Sequence, residues 1–252
     1  MHDWGQNSQW RKTQRVELIT RRSRFGIDER RHWNDVITER LIQGFPDLAG
    51  KTIAFCWPYK GEPDVRFAIR QFRVRGARAA LPAVGNPKGL LEFRLWWSGV
   101  AMQPGVLGIP VPVRTEVVIP DAAIVPMNGF DEQGYRLGYG GGYFDRTLAA
   151  LKRQPLAIGV SFEALRLPTI FPQPHDIPMS FVVTEAAIYQ VQTQGLMSIT
   201  EEECATLAPA KRVDCKPESW TRGTYAQVPT EAPGYSSPPC YAHEFAPHYF
   251  GE

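Results

Sequence analysis

The chain has 252 residues, 43% of them hydrophobic and 21% charged, the balance of a soluble globular protein with one large α/β domain or a domain plus an appendage. A net charge of +2 is too small to imply nucleic acid as the main partner, and no apolar run approaches the roughly 18 residues that suggest a membrane span. The Arg-dense N-terminal stretch lacks a secretory pattern, and Cys56, Cys204, Cys215 and Cys240 stand far apart without CxxC pairing, so a reduced, cytoplasmic setting is expected.

Residues 10–25 read as a basic helix with apolar Val16 and Ile19 and cationic Arg11, Arg15 and Arg22. Arg11 and Arg15 are four apart and share a face; a solvated basic face and a two-arginine anion clamp both fit that spacing. Asp28 is placed to cap a second helix carrying Trp33, Val36, Ile37 and Leu41 on one stripe. Residues 51–57 read as a buried strand. Pro63 suits the first turn of the next helix, where Val65, Ala68, Ile69 and Phe72 fall at i, i+3, i+4 and i+7 and Gly76 marks the stop. With a strand at 77–84 this makes a βαβ unit, whose crossover is expected to be right-handed. Glu62 follows the end of the first strand, where open α/β sheets bind ligands; an acid favouring a helix dipole explains it equally. Residues 91–97 alternate loosely, as an antiparallel or edge strand does, and 105–112 read as a rigid loop.

The centre of the chain is the stretch 130–146. The apolar segment 122–127 before it has the length and β-branched content of a buried strand. After it, Phe144, Leu148 and Leu151 fall at helical spacing, with Thr147, Lys152 and Arg153 assigned to solvent. Between strand and helix, Gly138, Gly140, Gly141 and Gly142 remove Cβ atoms and permit positive φ. Loop N–H groups running into a helix N-terminus form an anion site, and Arg136 and Arg146 add cations able to fork a phosphate. A plain Gly-rich turn would not need the Arg, Tyr, Phe and Asp woven among the glycines. The pattern is neither a P-loop nor GxGxxG.

Strands follow at 156–162 and 181–191. The proline-rich segment between them holds His175-Asp176, which suits a metal or acid–base pair or a structural loop. Composition changes at Gly195, a charged short helix begins near 200–203, and beyond Lys216 prolines, glycines and polar residues dominate. The aromatic end at 238–250 reads as a peptide docking on the body or on a partner; Cys240, His243, Glu244 and His248 meet no standard metal spacing. The expected organisation is an α/β domain over 1–194 and an extension over 195–252. The expected fold is a three-layer, Rossmann-like open sheet, mostly parallel, with helices on both faces and an extended C-terminal tail.

The string Gly134-x-Arg136-Leu137-Gly138-Tyr139-Gly140-Gly141-Gly142-Tyr143-Phe144-Asp145-Arg146 resembles the signature of the 5-formyltetrahydrofolate cyclo-ligase family, also called 5,10-methenyltetrahydrofolate synthetase. The resemblance covers about residues 11–190 and implies an ATP- and Mg²⁺-dependent cyclisation of 5-formyltetrahydrofolate to 5,10-methenyltetrahydrofolate. The formyl oxygen is phosphorylated by ATP, N10 adds to the activated carbon, and ADP and phosphate are released. The resemblance places Arg11, Arg15, Arg136, Leu137, Gly138, Tyr139, Gly140, Gly141, Gly142, Tyr143 and Phe144 around the nucleotide, though family members more often carry Lys at the position of Arg11. It places Trp57, Glu62, Tyr139 and Tyr143 against the folate, gives Arg136 and Tyr143 the catalytic work, and gives Asp145 the metal. The implied partners are the folate and ATP, without nucleic acid or membrane, in a monomer or dimer. Val111 and Ser180 depart from the family's usual polar residue and aspartate, which leaves open a paralogue acting on another folate or heterocycle. A non-catalytic protein that recruits a partner through the tail is the remaining alternative.

Overall fold

The computed structural model describes residues 4–85 and 89–211; the readings placed on 216–252, with Cys215 and Cys240, lie outside the described residues. In chain order the helices are α1 (Trp4–Ser23), α2 (Ile27–Gly44), α3 (Arg66–Val74), α4 (Tyr143–Ala150) and α5 (Glu201–Leu207). The strands are β1 (Thr52–Phe55), β2 (Arg78–Val84), β3 (Leu91–Trp96), β4 (Met102–Pro104), β5 (Pro110–Pro112), β6 (Val117–Val118) and β7 (Ala122–Pro126). They continue with β8 (Gly129–Asp131), β9 (Arg136–Leu137), β10 (Leu156–Val160), β11 (Arg166–Leu167), β12 (Phe181–Val183), β13 (Ile188–Gln192) and β14 (Gly195–Ile199).

Among the described residues the main sheet has nine strands in the order β14-β13-β12-β10-β7-β1-β2-β3-β6. The run from β12 to β2 is parallel. Antiparallel strands flank it on both sides, β13 and β14 on one and β3 and β6 on the other. Alternation along each central strand sorts side chains to two faces. Ile53, Phe55, Ile124, Ile158, Val160 and Phe181 face one core with Leu18, Ile37, Leu41, Ile69 and Phe72 from α1, α2 and α3. Ala54, Ala123, Val125, Ala157 and Val182 face the other with Leu148 and Leu151 of α4 and its flank. This is the expected three-layer α/β fold. No helix among the described residues is long and apolar enough to cross a membrane.

Several local expectations change. Helix α1 begins at Trp4, earlier than the basic pattern indicated. Helix α2 is entered from Gly26, whose N–H donates to Glu29 Oε2 (3.3 Å), so Asp28 sits inside the first turn rather than capping it. Helix α3 starts at Arg66 and leaves Pro63 in the loop, because Asp64 Oδ1 takes the N–H of Arg66 (3.1 Å). The rigid loop at 105–112 contains β5, paired with β4. Thr147, assigned to solvent, is buried, and its Oγ1 accepts the N–H of Leu91 (2.9 Å) where β3 begins. The strand expected over 181–191 is a hairpin, turned where Thr184 Oγ1 accepts the N–H groups of Ala186 and Ala187 (3.2 and 3.3 Å). The sheet also runs through the expected boundary at 194: β14 pairs with β13, and Cys204 of α5 is buried in the core beneath α2.

A second small sheet, β11-β8-β9, stands on the carboxyl side of β7 and holds the glycine loop. Asp131 ties it together. Its Oδ1 accepts the N–H groups of Gln133 and Tyr135 and its Oδ2 that of Ile170, each at 3.0 Å. Gly134 turns the hairpin at φ +75°, and a Cβ there would strike Val191 at 2.5 Å.

Candidate active site

Strand β9 delivers Gly138 directly into the run that ends at Gly142, the N-cap of α4. Gly140 (φ +92°) and Gly142 (φ +60°) hold left-handed backbone, and a Cβ on Gly141 would lie 2.8 Å from the Tyr143 ring. The loop therefore closes over that ring and runs into the N-terminus of α4, the positive end of the helix dipole. Two arginines clasp it by carbonyls. Arg15 Nε donates to Gly138 O and Arg146 Nη1 to Gly141 O, both at 2.8 Å. The Arg146 guanidinium lies 5.1 Å from the centre of the Tyr143 ring. Burial first, and then the charge of Arg11, lower the pKa of Arg15 to about 10, so it keeps its charge at neutral pH.

Arg136 is almost fully buried. It pairs with Asp145 Oδ1 (2.8 Å), donates from Nη1 to Ile177 O (3.1 Å) and lies 5.8 Å from the Phe144 ring. Asp145 Oδ1 also accepts the N–H of Ile177 (3.1 Å). The residue expected to offset phosphate charge and the one expected to hold metal thus meet as an ion pair. Arg11 and Arg15 diverge: Arg15 reaches the loop, while Arg11 pairs with Asp176 and donates from Nε to Ile170 O (3.0 Å). Asp176 also takes the N–H of Gln173 (2.7 Å), so its contacts are those of a loop anchor. Among the described residues no group of three or more His, Cys, Asp or Glu is arranged to hold a metal ion. Asp145, as a single carboxylate beside the loop, suits an Mg²⁺ whose remaining ligands are phosphate oxygens and water.

Tyr139 joins this loop to the end of β1. Its hydroxyl donates to Glu62 Oε1 (2.9 Å) and accepts from Arg22 Nη2 (3.0 Å), while Glu62 Oε2 accepts the N–H of Tyr59 (3.0 Å). Arg22 has no exposed surface and also donates to Asn128 Oδ1 and Lys60 O, each at 3.0 Å. Burial, partly opposed by Arg22, pushes the Glu62 carboxyl up to about 6. Burial and the charge of Glu62 raise the Tyr139 hydroxyl and the Cys56 thiol, leaving both protonated. Trp57 follows Cys56 at the end of β1, edge-on to Trp96 (6.1 Å between centres) and under the guanidinium of Arg66 (4.8 Å).

A cleft of about 390 Å³, lined by residues of α2, α3 and Glu62, opens at this end; a larger groove of about 550 Å³ on α1 touches none of these groups. Arg22 reads in the sequence only as part of a basic helix and Asn128 carries no signal there, while Asp176, read with His175 as a metal or acid–base pair or a structural loop, anchors the loop beside Arg11. Arg22 lies seven positions after Arg15, two helical turns along one face, so its spacing carried the signal.

The profile of the 5-formyltetrahydrofolate cyclo-ligase family matches residues 7–185. The chain belongs to that family, a family of ligases. The 5-formyltetrahydrofolate cyclo-ligase of Escherichia coli is 30% identical over 161 residues, covering 60% of this chain and 87% of the relative. Its Mycoplasma pneumoniae counterpart is 25% identical over 173 residues, 68% and 96% of the two chains. Two solved structures share the fold. The 5,10-methenyltetrahydrofolate synthetase of Aquifex aeolicus gives a TM-score of 0.64 at 26% identity, covering 75% of this chain and 96% of that one. That of Mycoplasma pneumoniae gives 0.58 at 24%, covering 69% and 98%.

Proposed function

We propose that the protein closes the imidazoline ring of 5-formyltetrahydrofolate, using ATP with Mg²⁺, to give 5,10-methenyltetrahydrofolate, ADP and phosphate. The observation that carries this reading is the Tyr139–Glu62 hydrogen bond, which joins a phosphate-type glycine loop to a buried carboxylate at the end of β1. An amide oxygen leaves poorly, so transferring the γ-phosphoryl group to the formyl oxygen makes it a leaving group; N10 then adds to the carbon and phosphate departs. Such chemistry asks the protein for position and charge rather than a nucleophile.

The N–H groups of Gly138 to Gly142 hold phosphate oxygens, and Arg15 and Arg146, already fixed on the loop carbonyls, offset their charge. Arg11 and Arg136 serve the same end from their carboxylate partners. Asp145 holds Mg²⁺, which when bound neutralises charge on the phosphates. Glu62 accepts N–H groups of the pterin, Trp57 offers its ring, and Tyr139 and Tyr143 bound the space between folate and nucleotide. A cytoplasmic location belongs to the same proposal.

Purified protein given Mg·ATP and 5-formyltetrahydrofolate should form the methenyl product, read by its near-ultraviolet absorption, and Asp145→Ala should lose turnover. A wild type that does not turn over, and binds ATP no better than Asp145→Ala, ends the proposal. Val111 and Ser180 support a second reading, a paralogue acting on a different folate or heterocycle. Ser180 enters β12 through its backbone, donating to Ala157 O (2.8 Å), where the family pattern expects a carboxylate. Thermal-shift screening of folates against other heterocycles separates the two.

A further inference from the structure

The guanidinium of Arg66 lies 4.8 Å from the centre of the Trp57 ring. It is fixed there from its far end. Nε and Nη2 donate to Asp64 Oδ1 and Oδ2 at 2.9 and 2.7 Å, a two-pronged pair with the planar geometry that suits arginine and not lysine. Asp64 is itself held, since its N–H donates to Asn34 Oδ1 (3.0 Å) and its Oδ1 also takes the N–H of Arg66 at the start of α3. The edge of the indole meets Trp96, which has Phe55 on it at 5.3 Å and the guanidinium of Arg73 at 5.5 Å. One face of Trp57 is therefore covered by a locked cation and one edge is braced.

We propose that Arg66 is a positioning residue for substrate: through Asp64 it sets the plane of Trp57 and leaves a single face of the indole to stack on a heterocycle. The inference rests on the folate reading of Trp57 given above. A cation over the ring favours the stacked arrangement electrostatically, and an aromatic ring fixed before binding loses less freedom when the substrate arrives. Arg66 reaches neither the glycine loop nor the arginines upon it, so its influence falls on the heterocycle and not on the nucleotide.

The test replaces Arg66 with Met, which keeps the aliphatic stem, and with Lys, which keeps the charge without the two-pronged pair. For Arg66→Met the KM for the folate should rise roughly three- to ten-fold, the span of one cation–π contact, with kcat and the KM for ATP unchanged. The indole N–H signal of Trp57, assigned by its loss in Trp57→Phe, should shift and broaden. Arg66→Lys should fall between wild type and Arg66→Met. A folate KM equal to wild type in both variants, or a matching rise in the KM for ATP, overturns the proposal and leaves Arg66 a structural residue. A wild type that binds ATP but no folate overturns the underlying reading instead, and this inference with it.

Discussion

Tyr139 belongs to two networks at once, because its hydroxyl donates a hydrogen bond to Glu62 and accepts one from Arg22. Replacing Tyr139 by Phe leaves two buried partners without it, and each unsatisfied group costs about 1–3 kcal/mol. Urea denaturation of Tyr139→Phe should therefore show a clear loss of stability, and the folate KM should rise. Glu62 adds a pH dependence with a definite sign. Its carboxyl is raised from an ordinary value near 4.5 to about 6, first by burial. The stability it contributes is present in full below pH 4.5 and is lost as pH climbs through about 6, a change of about 2 kcal/mol. Substrate recognition runs the other way, since only the carboxylate accepts pterin N–H groups. Folate affinity should fall as pH drops below 6, and Glu62→Gln should flatten both profiles; titrations of unfolding and of folate binding between pH 4 and 8 check them.

At the scale of elements, α4 couples the glycine loop to the sheet. Its N-terminus is Gly142 in left-handed backbone, and one turn later Thr147 Oγ1 takes the N–H of Leu91 (2.9 Å), tying the helix to β3. Thr147→Val keeps the shape and removes the acceptor, so unfolding should come about 1–3 kcal/mol sooner, measured by denaturant midpoint. The helix itself was legible from Phe144, Leu148 and Leu151 at helical spacing. The role of Thr147 was not, because a residue on the polar side of a short helix reads as solvent-facing until the strand that supplies the donor is in place. The hairpin at Thr184 was missed for a related reason. Two short strands joined by a hydroxyl-capped turn have the same apolar content as one longer strand, and only the side-chain bond to the backbone breaks the run.

Across the whole molecule, the sheet continues past the change in composition at Gly195. β14 adds to β13, and α5 covers α2, with the Arg40–Glu201 pair (2.6 Å) across the seam. A chain ending at Lys211 should keep a cooperative unfolding transition, whereas one ending at Gln194 should lose it, because Ile188, Ile37 and Leu41 lose their cover. Circular dichroism on heating distinguishes the two.

Sequence by itself determined the alternation of strands and helices, the three-layer sheet and the glycine loop with its arginines, since hydrophobic periodicity and glycine spacing are local properties of the chain. It could not determine which charges meet. Arg136 with Asp145, Arg11 with Asp176 and Arg22 with Tyr139 and Asn128 are partnerships between distant segments, and only folding decides which side chains lose water together. Burial of Glu62 itself raises its carboxyl, and carbonyl and carboxylate partners from distant segments hold the arginines in place around the loop.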